Sequence, residues 1–234
     1  MQNNYSLTSL FSRWMIMLSV VAFASLSASA QTTPHVLFKQ DFSSSTTVSS
    51  YVNLNTPSTG QFNGITSSTG SAVSITGNAL RFARNTGGAS SFSRTTDFSP
   101  LPKTLSYKFT VSVTNSAATT NAAVFQVGSG MTTSNAAAAS GNTYGRFAIN
   151  FGATSNTFTI RNMTNGTTSN VPVAPAPFSG TQEITWTLNN TGATISYVAP
   201  DGSVETLAND RMDIYHGNTA YLVGGLLYGN QCYL

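Results

Sequence analysis

The sequence predicts an all-β protein, an antiparallel β-sandwich preceded by a signal peptide. Apolar and polar residues alternate with a period of two along most of the chain, the pattern of half-buried strands. Turn dipeptides separate these runs at short, regular intervals. Aromatic side chains recur throughout, with 14 Phe, 9 Tyr and 2 Trp in 234 residues. That is enough to build a core, and it argues against disorder despite the Ser/Thr/Asn-rich texture.

The chain opens with an export signal. Residues 15–26 are an apolar run behind Arg13, followed by Ser27-Ala28-Ser29-Ala30. The small residues Ala28 and Ala30 fit a signal-peptidase site. Residues 1–30 therefore read as a signal peptide cleaved after Ala30, and residues 31–234 as a single β-sandwich domain. The run is too short to span a bilayer, and no later segment approaches about 18 continuous apolar residues. The expected location is secreted or cell-surface, with no membrane span after cleavage. Cys232 is the only cysteine, so no internal disulfide is expected and the fold rests on packing and sheet hydrogen bonds. Only 7% of residues are charged and the net charge is +3, too weak and scattered to specify nucleic acid or an anionic membrane.

Residues 104–114 show the clearest strand. Leu105, Tyr107, Phe109, Val111 and Val113 share one face; Ser106, Lys108, Thr110 and Ser112 share the other. At roughly 1.5–3 kcal/mol per large side chain buried, the apolar face is expected to contribute on the order of 10 kcal/mol. A slip of one residue would forfeit it, so the register is well specified. The same alternation marks strands at 36–42, 79–84, 122–127, 144–151, 156–163, 181–188, 193–198 and 203–207. Turn chemistry divides them at Asn63-Gly64, Gly77-Asn78, Gly87-Gly88, Asn165-Gly166, 189–192 and Pro200-Asp201-Gly202. Residues 181–207 thus read as a three-stranded meander, 135–140 as a loop, and Pro172, Pro175 and Pro177 as an extended connector.

Particular segments resemble a known superfamily. Phe38-Lys39-Gln40-Asp41-Phe42 at the start, Ile184-Thr185-Trp186-Thr187-Leu188, Ile195-Ser196-Tyr197 and the Pro200-Asp201-Gly202 turn together resemble the concanavalin A-like (laminin G-like) jelly-roll superfamily. Residues 92–100 and 209–215 look like landmarks of β modules found in secreted bacterial surface proteins. The resemblance implies a jelly-roll sandwich; its motifs belong to turns and core, and imply no activity. After Gly217 the Ser/Thr/Asn texture stops. Residues 219–228 fit the last strand that a jelly roll places beside its first. The change of composition over about 219–234, with its stray Cys232, equally fits a truncated or frame-shifted end.

Candidate chemistry is sparse. Retaining glucanases of the superfamily use two carboxylates about 5 Å apart on one strand face. Asp41, Asp97, Glu183, Asp201, Glu205, Asp210 and Asp213 form no such pair, and Glu183 and Glu205 would meet only across an intervening strand. Asp210, Asp213 and His216 are spaced by three, which on a strand sends neighbours to opposite faces. No metal site or cofactor is expected. No G-x-S-x-G elbow occurs, and Gly128-Ser129-Gly130 lacks the rest of a phosphate loop.

A sugar-binding face remains, since carbohydrate recognition combines an exposed aromatic plane with planar polar groups. Trp186 shares a face with Ile184 and Leu188 and is expected in the core. Tyr144 shares its face with Arg146 and Asn150, opposite Phe147, Ile149 and Phe151, which puts an aromatic on the polar side. Lys108 and Arg161 also lie on polar faces. Tyr144, Arg146, Lys108 and Arg161 are the expected ligand-binding residues, lining one concave surface if their strands are neighbours. The expectation is an exported, non-catalytic module for binding or surface display, with a polysaccharide or cell-surface glycan as partner. A purely structural, adhesin-like module and a glycan-active hydrolase or lyase are the alternatives. Sequons stand at Asn162, Asn165 and Asn189.

Overall fold

The alternating segments form strands paired antiparallel. In chain order they are β1 (Gly64–Ser67), β2 (Ser71–Thr76), β3 (Ala79–Arg84), β4 (Ser90–Ser93) and β5 (Thr104–Val111). There follow β6 (Thr119–Gly128), β7 (Thr143–Phe151), β8 (Thr157–Thr164), β9 (Thr167–Asn170) and β10 (Phe178–Ser179). The last are β11 (Gln182–Asn189), β12 (Ile195–Val198), β13 (Val204–Leu207), β14 (Arg211–His216) and β15 (Thr219–Leu226). The computed structural model describes residues 35–84, 87–114, 117–136, 138–164, 167–170 and 176–228. The expected signal peptide, the Asn165-Gly166 turn, Pro172, Pro175 and Cys232 lie outside these residues.

Two sheets face each other. One is four-stranded, in the order β15-β14-β11-β5; the other is five-stranded, in the order β10-β8-β7-β6, with β9 also pairing β8. Their facing side chains form one core that includes Phe147, Ile149, Phe158 and Ile160 from the five-stranded sheet. Ile184, Trp186, Leu188, Met212 and Ile214 come from the four-stranded sheet. Phe147 is the junction. Its ring stacks on Phe125 at 4.9 Å and meets Trp186 edge-on at 5.0 Å and 79°. Edge-to-face geometry sets the positive ring edge against the negative face of its neighbour. The indole N–H of Trp186 finds Met212 Sδ at 3.1 Å. Gly145 completes the fit: a Cβ there would lie 2.3 Å from Leu188 Cδ2 and 2.9 Å from Trp186 Cζ2.

The alternation of β5 is realised. Leu105, Tyr107, Phe109 and Val111 turn inward while Ser106, Lys108 and Thr110 are exposed. The inner residues are half-buried rather than buried, because β5 is the edge of its sheet. Their contribution is correspondingly smaller than full burial would give. At Gly77-Asn78 both residues take positive φ, 58° and 56°, as a two-residue hairpin between β2 and β3 requires. The region before β5 has its own aromatic cluster, with Phe62 in contact with Phe38 (4.9 Å) and Phe92 (5.4 Å). Phe92 reaches Phe125 at 6.2 Å and so ties that cluster to the sandwich.

Three expectations are corrected. Residues 36–42 form no strand: Phe42 sits at φ 55°, and one ladder-like bond, Lys39 N–H to Thr59 O at 2.9 Å, is made. Phe38 and Phe42 still share a face, as the alternation predicts, but that face meets the Phe62 ring rather than a paired strand. Residues 181–207 are not a meander. β11 is flanked on both edges by β5 and β14, so β12 has no edge to join. β12 and β13 instead make a separate ribbon that packs over the outward face of the four-stranded sheet, where the Tyr197 hydroxyl bonds Asp213 and Tyr215. That cover explains why Thr185, Thr187 and Asp213 are buried although they face away from the core. Finally, residues after Gly217 do supply a strand, but β15 pairs β14 and has no first strand beside it. Leu227 enters the core, and Tyr228 N–H bonds Tyr144 O at 2.9 Å.

Opposite faces of the sheets should respond differently to truncation. Phe147→Ala is expected to lower unfolding free energy by about 3–5 kcal/mol, and Lys108→Ala, an exposed ion-pair partner, by less than about 1 kcal/mol. Denaturant unfolding measures both; comparable losses would contradict the core assigned above.

Candidate functional site

The four residues expected to bind ligand do not share a surface. Tyr144 is 1% exposed. Along β7, Thr143 pairs Gly128 and Gly145 pairs Val127, leaving Tyr144 as the unpaired residue of a β-bulge. A bulge re-aims its extra side chain, which is why the alternation assigns Tyr144 to the wrong side. Its hydroxyl crosses to the opposite sheet, donating to Asn189 O at 2.6 Å and lying 3.3 Å from Asp210 Oδ1. Tyr144 is therefore a tie between sheets, not an exposed platform. Lys108 sits on the outward face of the four-stranded sheet, in an ion pair with Glu183 at 2.8 Å. The outward faces of two facing sheets point away from each other, so Lys108 lies on the far side of the molecule from the other two.

Arg146 and Arg161 do come together. Arg146 is cross-strand from Gln126, and Arg161 is cross-strand from Ala148, two residues along β7 from Arg146. Cross-strand partners share a face, so the two arginines are diagonal neighbours on the outward face of the five-stranded sheet. Ala148, fully buried, is the floor between them, with Gln126 and Asn150 half-buried at its sides. Diagonal neighbours stand about 7–8 Å apart, within reach of one extended ligand.

Tyr228, which sequence reasoning did not single out, completes this face. The Arg146 guanidinium lies over its ring, 5.0 Å from the centroid, a cation–π arrangement. The Tyr228 hydroxyl is 3.4 Å from Ser140 Oγ. That hydrogen bond, and then the Arg146 charge, hold its phenol below the ordinary range. Arg146 Nε is buried and has no hydrogen-bond acceptor among the described residues, and no carboxylate lies in ion-pair range of Arg146 there. A planar donor group is thus fixed against an aromatic plane. The signal for Tyr228 was an aromatic just beyond the last apolar run, too local for period-two reading to register.

Several of the remaining titratable groups are engaged in structure. Asp213, 1% exposed, accepts the Tyr197 hydroxyl and the Gly224 N–H, the latter at 2.6 Å. His216 contacts the Gln182 side chain through Nε2 and stacks on Phe178 at 4.2 Å. Asp210 occupies a turn at φ 57°. The three therefore serve different neighbours, and among the described residues no three His, Cys, Asp or Glu side chains converge on a metal-sized site. Asp201 and Asp41 cap turns through Ser203 and Ser43. Glu183 and Glu205 stand in different sheets. Trp186 is in the core, 1% exposed, as expected. The sequon residues Asn162 and Asn189 are buried, at 6% and 0% exposed.

No protein-family model, curated protein or solved structure matches this chain. The structure defines an all-β protein of antiparallel sheets. No helix among the described residues is long and apolar enough to cross a membrane.

Several phenols titrate late. Burial pushes Tyr107 up to about 12; Tyr144 and Tyr197 are raised by burial first, with added contributions from Asp210 and Asp213, and burial also raises Tyr215. A raised phenol pKa means the folded chain holds its proton after the unfolded chain has lost it. The stability so contributed is complete below the ordinary value of 10.0 and is lost as pH climbs above it. Between pH 10 and about 12, phenolate absorbance is expected to appear together with loss of the sheet circular-dichroism signal. Ionisation of these rings well before unfolding would contradict their burial.

Proposed function

We propose that this chain is an exported, non-catalytic β-sandwich module of concanavalin A-like type, acting in binding or surface display, with a polysaccharide held on the Arg146–Arg161 face. The observation that carries the reading is the pairing of Arg146 with Arg161 on one outward sheet face, with the Arg146 guanidinium set over Tyr228. Sugar recognition draws on planar hydrogen-bond donors beside an aromatic surface. Export rests on the apolar run at 15–26 behind Arg13 and on Ala28 and Ala30. The hydroxyl- and amide-rich, sparsely charged surface accords with an extracellular setting. The non-catalytic reading rests on where the carboxylates go: Glu183 to Lys108, Asp213 to Tyr197, Asp41 and Asp201 to neighbouring serines. None is paired with a second carboxylate as glycoside hydrolysis requires.

A glycan array tests the proposal. Arg146→Ala and Arg161→Ala should each weaken binding about tenfold or more, the size of one lost charge-assisted hydrogen bond, with the melting temperature held. Lys108→Ala should bind as the parent does. Binding unchanged in both arginine variants would sink the assignment of the face, and absence of any bound polysaccharide would favour a purely structural display module.

A further inference from the structure

The ribbon of β12 and β13 is attached to the sandwich without sharing a sheet with it. The Asn189 amide holds its base, donating to Ala193 O and Leu207 O at 2.8 Å each. Farther along, the tie is a cluster of three side chains. Tyr197 on β12 donates to Asp213 Oδ2, and its oxygen lies 2.6 Å from the Tyr215 hydroxyl on β14. A phenol has one hydrogen to give, so with Asp213 taking that of Tyr197, Tyr215 donates to Tyr197. The two rings meet near right angles, at 74°, with centroids 6.5 Å apart. Asp213 and Tyr215 are buried, 1% and 3% exposed, whereas Tyr197 is half-buried and reaches solvent. The hydroxyls of Tyr51, Tyr144 and Tyr228 meet Ser45 O, Asn189 O and Ser140 Oγ instead of a phenol.

We propose that Tyr197 and Tyr215 form an oxidative cross-linking site, where a haem–peroxide oxidant joins the ribbon covalently to the sheet. Removing an electron from a phenol leaves a strong acid, so a base already bonded to its proton eases the step. Asp213 is that base. Tyr197, the accessible ring, loses an electron to the oxidant and its proton to Asp213, which passes it to solvent. The Tyr215 hydroxyl hydrogen then crosses 2.6 Å to the Tyr197 oxygen, which moves the radical inward and restores Tyr197. A second oxidation of Tyr197 by the same route leaves two radicals in contact. The Tyr197 oxygen bonds the Tyr215 ring carbon next to the one bearing its oxygen, and the hydrogen on that carbon moves to the Tyr215 oxygen. Carbon–oxygen coupling is the shorter reach, since the oxygens touch while the ring centroids stand 6.5 Å apart. Two electrons and two protons leave the pair, and hydrogen peroxide takes them up as two molecules of water. Holding both rings in contact replaces a chance encounter with a step inside one molecule. Cys232 is the only cysteine, so no internal disulfide can brace the ribbon. The phenol bond closes a loop across 18 positions and restricts the unfolded chain as a disulfide would.

Oxidation of the full chain with haemin and limiting hydrogen peroxide, followed by tryptic mass spectrometry, tests the site. Trypsin cuts after Arg161 and Arg211 and so separates Tyr197 from Tyr215. The product is expected to hold residues 162–211 and 212–234 together, lighter by two hydrogen atoms than the separate peptides, with fragment ions placing the bond at Tyr197 and Tyr215. The linked monomer should melt about 5 °C or more above the untreated chain. Tyr197→Phe and Tyr215→Phe should each abolish the linkage. Asp213→Asn, with its circular dichroism matching that of the parent, should slow it at least about tenfold while both phenols remain. Chain unfolded in urea, where the rings are no longer held together, should not form it. Recovery of 162–211 and 212–234 only as separate peptides from the oxidised folded chain would overturn the proposal. So would a linkage that persists in either phenylalanine variant, or that forms as fast in urea or in folded Asp213→Asn.

Discussion

The edge-on contact of Phe147 with Trp186 is what makes two sheets into one core, and the rest of the structure is arranged around it. Phe147 is fully buried and touches rings on both sides. Its position leaves room beneath Leu188 and Trp186 for a backbone but not for a side chain, hence Gly145 two residues earlier on the same strand. The indole nitrogen, shut away from water, is satisfied by Met212 rather than left bare, as a buried donor must be. From Phe147 the ring contacts run through Phe125 and Phe92 to Phe62. The segment before β5 is thus anchored by aromatic packing, together with hydrogen bonds from the Thr66 and Ser91 hydroxyls to Asn135, since its short strands form separate two-stranded ribbons and pair with neither large sheet.

A second constraint is polar. At three positions this chain buries polar side chains that most folds leave in water, and satisfies them. Asn63 is 3% exposed; its oxygen accepts the N–H groups of Thr95 and Thr96 and its nitrogen donates to Leu54 O and Thr96 Oγ1. Asn189, fully buried, likewise donates to Ala193 O and Leu207 O and accepts from Thr191 through N–H and hydroxyl. Asp213 holds the covering ribbon and the irregular ladder of β14 with β15 together in one place. Fully satisfied networks of this kind specify a unique arrangement, whereas a partner removed leaves a costly orphan. With charge so sparse, amides and hydroxyls do the positioning that ion pairs do elsewhere.

The sequence made the strands legible because burial of one face enforces a period of two, and the run at 104–114 obeys it from end to end. Gly77-Asn78 was legible because a two-residue hairpin needs positive φ at both positions. What could not be read were non-local facts. Tyr144 follows the alternation perfectly and is still buried, since a bulge is a property of two strands and only one of them is in view when the segment is read. The 181–207 segment looks like a meander because adjacent strands commonly pair, but β11 had already been claimed on both edges by β5 and β14, from far away in the chain. Residues 36–42 alternate correctly and lack a partner strand. Of the candidate face, the two arginines were legible from strand parity; their adjacency depended on the β7–β8 register, and Tyr228 on the path of the chain after β15.

The burial of Asn189 bears on how the protein can be made. Asn189-Asn190-Thr191 is an acceptor sequence for oligosaccharyl transfer, a reaction that takes place on nascent polypeptide in the endoplasmic reticulum. An attached oligosaccharide would consume the amide nitrogen that Ala193 and Leu207 need and could not be accommodated where no solvent reaches. Molecules modified there would be trapped short of the native state, and Asn162, a second buried sequon asparagine, meets the same obstacle, so yeast or mammalian secretion hosts are a poor route to this chain.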